Sequence, residues 1–285
     1  MPDSLLETRQ AQQSRTRAMV MPREHGAWGL LLVPLFTGVV AGAISVERIW
    51  PMLLFTLAVL ALFWLRTPVE SLLGTAPLSA RTTSERRAAV LASTFLAGLS
   101  AACLARLMWD GARPKLLLLG AIGALLFVAQ TLLKRLGRVM RMPAQLVGAM
   151  GLTCTAPAAY YTATGRLGMH ALSLWAANWI FAGNQIHFVH VRIQAVRAAT
   201  FKEKFQRGWL FFAGQLFLLP VVAATSYGHV MPPWAVVAFV PAVFRGIYWF
   251  SRGPSTLQIK SLGWSEMKQG ILFGVLLATA FVLWR

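Results

Sequence analysis

Acidic residues are the scarcest resource of this chain. Among 285 residues there are nine Asp and Glu, and the only aspartates are Asp3 and Asp110. Magnesium cages use hard oxygen ligands, usually with carboxylates, so a site of clustered aspartates is excluded. Cysteine occurs twice, as Cys103 and Cys154, in separate apolar runs, which excludes a disulfide framework. Charged residues make up 13% of the chain, against about 25% in a soluble domain, so a soluble fold is excluded as well. Period-2 alternation is missing, which argues against a β-barrel. The N-terminal 22 residues lack a short apolar stretch with a small-residue cleavage site, so no cleavable signal peptide is expected. No Ser-His-Asp, P-loop or cysteine-pair signature appears.

What is present is apolar. Hydrophobic residues reach 57%, with a mean hydropathy of +0.60. Runs of about 20 apolar residues span a bilayer as helices. They are read here at 26–45, 49–66, 88–108, 115–133, 144–164, 169–191, 208–228, 232–250 and 263–284. The expected fold is all-α and integral to a membrane, with about nine transmembrane helices. A polar tail (1–22) precedes a single polytopic domain (23–285). The net charge of +18 resembles a nucleic-acid signal until it is placed. With nine spans, 20 of the 27 basic residues fall on the side of the N-terminus. That asymmetry predicts a cytoplasmic N-terminus and an outside C-terminus. Loop cations beside apolar spans meet anionic lipid, and no motif interleaves them with aromatics, so lipids rather than nucleic acid are the expected partners.

Three clusters lie at the ends of these spans. Arg23, Glu24 and His25 precede the first, where Pro22, Glu24 and Trp28 also suit helix entry at an interface. Arg66 and Glu70 flank Pro68 at the end of the second, where proline ends or kinks a helix and the two charges can pair at i,i+4. Lys134 and Arg135, with Arg138 and Arg141, follow the fourth; cations beside a helix end serve either as topological anchors or as a phosphate clamp. The sixth span ends in Asn184-Gln185-Ile186-His187-Phe188-Val189-His190-Val191-Arg192. Polar groups are costly at membrane depth and mark sites. At 100° per residue His187 and His190 lie about 60° apart, so they share a face with Asn184 nearby and Arg192 just beyond.

Several of these segments carry a resemblance. Pro22-Arg-Glu-His-Gly-Ala-Trp28, Gly-Trp-Ser-Glu at 263–266 and Gly270-Ile-Leu-Phe273 resemble the YwiC-like family of bacterial membrane proteins along nearly the whole chain. That likeness implies a bacterial inner membrane. More distantly, Lys134-Arg135, Pro143-Ala-Gln-Leu-Val-Gly148 and Tyr161-Thr-Ala-Thr-Gly165 are similar to the UbiA superfamily of intramembrane prenyltransferases. This second likeness implies a nine-helix bundle with a cytoplasm-facing cavity for a prenyl diphosphate. The superfamily holds Mg²⁺ with two aspartate-rich motifs, and both are missing: Arg66–Glu70 stands at the first position and Asn184–Arg192 at the second.

Two functions therefore compete. In the first, a transferase acts on a prenyl or lipid-phosphate substrate. Lys134, Arg135, Arg66, Arg192, Arg23 and Asn184 grip the phosphate, and His187, His190, Glu24 and His25 handle protons. In the second, the chain is a transporter or a lipid- or cofactor-binding subunit without chemistry. No resident cofactor is identified. Glu24, His25, His187 and His190 also have the ligand types for a transition metal, should they converge.

Overall fold

The computed structural model describes residues 14–15, 19–21, 25–43, 49–76, 78–111, 114–253 and 258–284, with backbone alone at 25–27, 110–111 and 259. Among them the regular structure is helical: α1 (His25–Gly42), α2 (Trp50–Leu73), α3 (Thr83–Gly111), α4 (Lys115–Arg135), α5 (Arg141–Thr153), α6 (Thr155–Thr164), α7 (Met169–Ala195), α8 (Phe201–Tyr227), α9 (Ala235–Ser251) and α10 (Ile259–Leu283). A 3-10 turn at Arg138–Met140 precedes α5. Five helices, α2, α3, α4, α8 and α10, are long and apolar enough to cross a bilayer; α1 and α9 are apolar but shorter. In α7 the length suffices, but its amides, imidazoles and Arg192 make it more polar. Large apolar side chains lie on the outside, including Leu117, Leu125 and Leu132 of α4 and Leu210 and Phe217 of α8. Exposed leucine and phenylalanine in such rows need an apolar solvent. This is a multi-pass membrane protein.

Two prolines act differently from one another. Pro68 does not end its helix: α2 continues to Leu73 and closes on Gly74 at φ 71°, whose N–H donates to the Glu70 carbonyl. Pro68 loses the bond to the carbonyl four residues back, yet the charged pair Arg66–Glu70 bridges the same turn at 3.0 Å. Pro157 does interrupt. The expected span 144–164 is two helices, divided at Cys154. A proline cannot donate to the carbonyl of Thr153, and the chain turns there instead.

The chain falls into two compact units. The first holds α2 and α3, packed against each other, with the N-terminal segment. Thr82 and Glu85 form a capping box at the start of α3: the Thr82 hydroxyl accepts from the Glu85 N–H at 3.2 Å, and the Glu85 carboxylate accepts from the Thr82 N–H at 3.1 Å. Arg15 pairs with the same carboxylate at 2.9 Å, and the Trp64 indole donates to the Val20 carbonyl. Arg15 and Val20 are thereby tied to this helix pair.

The second unit holds α1 and α4–α10. Its core joins Leu174, Ala177 and Phe181 of α7 to Phe239 of α9 and Phe273 and Leu277 of α10. Phe181 and Phe273 stack with centroids 3.8 Å apart. Helix α1 buries Leu31 and Leu35 and comes closest to its neighbours at its glycines. A Cβ at Gly38 would collide with the Ala156 carbonyl of α6, and one at Gly42 would lie 2.6 Å from the Ala163 Cβ. On α10, Gly274 takes Val33 of α1 closely, a Cβ there lying 3.0 Å from its Cγ1, and Gly270 meets the same side chain at ordinary contact distance. Two small-xxx-small pairs, Gly38/Gly42 and Gly270/Gly274, thus fix α1 between α6 and α10 by backbone approach. At mid-helix the Asn178 amide of α7 donates to the Thr37 hydroxyl of α1 at 3.0 Å. Gly38→Ala should therefore lower the unfolding midpoint in detergent markedly, at a cost of about 1–3 kcal/mol. Gly29→Ala on the same helix meets nothing within 4 Å and should be neutral or mildly stabilising by comparison.

Candidate functional site

The last two turns of α7 meet the start of α8, the end of α9 and the first half of α10, and the polar groups of the second unit gather there. Residues Asn178, Gln185 and Arg192 recur every seven positions, so they lie along one stripe of α7. Gln185 donates to the Glu266 carbonyl of α10 at 3.0 Å. On another face, Asn184 and Gln215 of α8 exchange amide hydrogen bonds, each at 3.4 Å. Gly246 of α9 makes room for that pair, since a Cβ there would meet the Gln215 side chain at 3.0 Å.

The centre of the cluster is an ion pair between Arg245 of α9 and Glu266 of α10, with side chains only 10% and 14% exposed. The Arg245 guanidinium also lies 4.2 Å from the centroid of the Phe188 ring on α7. Arg192 stands 5.9 Å from Phe188 and 5.8 Å from Trp249, within electrostatic reach of both members of the pair. Phe188, Phe211, Trp249, Phe250 and Leu262 form the buried apolar wall around these charges. A ring face offers a guanidinium partial compensation for lost water.

Lys204 of α8 is buried to 2% exposure, and its ammonium donates to the carbonyls of Trp249 and Arg252 at the end of α9. The last carbonyls of a helix lack partners and carry the negative end of its dipole, which is where a cation belongs. Gly208, one turn along, lets α8 close on α7 and α9: a Cβ there would meet Phe250 at 2.5 Å and Val191 at 2.9 Å. Lys204 therefore holds α8 to α9.

The structure brings some predicted residues together and separates others. Asn184, His187, His190 and Arg192 all lie on the last turns of α7, none fully buried. The His187 ring stands edge-on to Phe211 at 5.2 Å, within electrostatic reach of His190. Arg66 is paired with Glu70 in the other unit, as their spacing allows. Lys134 and Arg135 occupy the last turn of α4, Arg135 exposed. Arg23 and Glu24 lie outside the described residues, as does the His25 side chain, so the proposed metal set with His187 and His190 is not described there. Among the described residues no three His, Cys, Asp or Glu side chains form a metal-binding group.

Three contributors escaped the sequence reading: Arg245, Glu266 and Lys204. Their signal was present, because an arginine and a glutamate each interrupt an apolar run with no opposite charge one turn away on their own helix. Counting Arg245 and Lys204 as topological cations hid them.

The comparisons with known proteins bear on the first half of the chain. The family model described as YwiC-like protein matches residues 21–160. Over that stretch the chain is similar to the YwiC-like family. The match includes the Pro22–Trp28 signature, whereas the Gly263–Glu266 and Gly270–Phe273 segments lie beyond it. No curated protein and no solved structure matches the chain. The buried ion pair, which lies beyond the matched stretch, is open to a direct test. Arg245→Met and Glu266→Met singly should each destabilise by about 3–5 kcal/mol, because each leaves a buried charge unpaired. The double variant should be clearly less damaged than the sum of the two, as read from unfolding midpoints.

Proposed function

We propose that this protein holds the phosphate of an amphiphilic lipid at the end of α7, with Arg192 as the receiving cation. The observation that carries the reading is the charge balance of a buried cluster. Two guanidinium groups, Arg192 and Arg245, face one carboxylate, Glu266, inside an aromatic wall. Arg192 is the partly exposed member of that set, and its guanidinium stands 5.9 and 5.8 Å from the Phe188 and Trp249 ring centroids. Guanidinium grips phosphate oxygens in a planar fork, and a membrane supplies phosphates on apolar tails. Asn184, His187 and His190 border the same turns of α7.

The reading extends to topology. It takes one polytopic domain with nine crossings, counting α5 and α6 together as one and α1, α7 and α9 as three more. The cation asymmetry of the loops supports a cytoplasmic site at a bacterial inner membrane. The UbiA-like arrangement draws support from the Pro143–Gly148 segment, where Gly148 admits the Gln130 side chain of α4 against α5. In the catalytic form of the proposal, His187 or His190 moves a proton to or from a prenyl or lipid phosphate, with Lys134 and Arg135 as further phosphate ligands. In the other form the protein binds or carries the lipid unchanged.

Lipids co-purifying with the full chain test the shared element. Wild-type protein should retain an anionic phospholipid or prenyl phosphate, and Arg192→Gln should retain roughly tenfold less, the value of one charge-assisted hydrogen bond. Equal retention by both proteins overturns the reading. Incubation with a prenyl diphosphate then separates the two forms: consumption by wild type and loss in His187→Ala supports catalysis, and unchanged substrate supports binding alone.

A further inference from the structure

Resting on that reading, we infer that the bound headgroup is a phosphodiester that also carries a hydrogen-bond donor, such as a hydroxyl. The Arg245–Glu266 pair engages one nitrogen and one oxygen, Nη1 and Oε1. Arg245 Nε and Nη2, Glu266 Oε2 and, one turn further along α10, Gln269 Oε1 are buried without a hydrogen-bond partner. Buried polar groups in native proteins are nearly always paired, so four orphans on three neighbouring side chains point to a ligand. The orphans are of two kinds. Two are donors, which a phosphate oxygen satisfies. Two are acceptors, which a phosphodiester cannot satisfy, because at neutral pH it only accepts. A headgroup that answers both kinds needs its own donor next to the phosphate, and an ionised carboxylate oxygen such as Glu266 Oε2 can receive nothing else.

Charge narrows the class. Arg192 and Arg245 against Glu266 leave one positive charge, which matches the single negative charge of a phosphodiester better than the two of a phosphomonoester. Lys204 does not alter this count locally, since its ammonium is committed to the two carbonyls ending α9. The donor arm of the headgroup then lies toward Gln269, and its phosphate toward Arg245 and Arg192. The same chemistry exists in soluble phosphate esters, so the test must separate the sources.

The full chain in detergent is titrated with phosphatidylglycerol and with phosphatidylmethanol of the same acyl chains, which keeps the phosphodiester and lacks the hydroxyls. Wild type should bind the glycerol lipid roughly tenfold more tightly, the scale of a hydrogen bond to a charged acceptor. Gln269→Leu, which removes one of the two acceptors, should lower that ratio, and Gln269→Glu, which keeps an acceptor there, should preserve the preference; unfolding midpoints report whether each variant is folded. Competition by glycerophosphoglycerol, the soluble phosphodiester left when phosphatidylglycerol is deacylated, would assign the headgroup to a soluble ester, and its failure to compete would assign it to a lipid. Equal binding of the two lipids by wild type, or an unchanged ratio in folded Gln269→Leu, overturns the inference. If both lipids still depend on Arg192, the lipid-phosphate reading survives that failure; if neither does, the reading itself falls.

Discussion

The ion pair between Arg245 and Glu266 sets the terms for everything around it. A guanidinium and a carboxylate removed from water must be paired, hydrogen-bonded and screened by polarisable neighbours, or the helices carrying them will not pack. Here α7 supplies the neighbours: Phe188 places its ring 4.2 Å from the guanidinium, and Gln185 binds the main chain at Glu266. The amide pair Asn184–Gln215 and the ammonium of Lys204 then lock α8 against α7 and α9. Four helices thus converge at one end because one buried charge requires company.

That end differs chemically from the middle of the same bundle. Around Phe181, Phe239 and Phe273 the contacts are ring stacking and small residues, and polar groups are few. Asn178 and Thr37 are an exception, and there the hydroxyl and amide satisfy part of one another's demand. In an apolar solvent burial of carbon gains little between helices, so close backbone approach and such polar contacts hold the bundle. The glycines of α1 and α10 and the polar end of α7 are two expressions of that constraint.

Much of this was legible before any coordinates. Hydropathy located the helices, although α2 runs on to Leu73 and α8 begins already at Phe201, and the Asn184–Arg192 segment stands out in the sequence because its cost is local to one helix. The pairing Arg66–Glu70 followed from i,i+4 spacing. What stayed hidden depends on packing between helices. Arg245 and Glu266 are 21 positions apart and meet only when α9 and α10 pack. Lys204 reaches carbonyls at the end of another helix, and no sequence pattern records a backbone acceptor. Pro68 and Pro157 look alike in sequence, yet one is carried inside a helix and the other divides two, since the outcome depends on what supports each turn.

The contacts of α1 also limit how the second unit can move. Where α1 meets α6 through glycine no side chain cushions the contact, and a small twist would drive the Cβ of Val39 or Ala41 into the places Gly38 and Gly42 leave open. Helix α1 therefore serves as a fixed rail between α6 and α10. On α8 and α9 the constraint is of another kind, since the two helices are joined at one end by Lys204 and at the other by the short link that passes through His229.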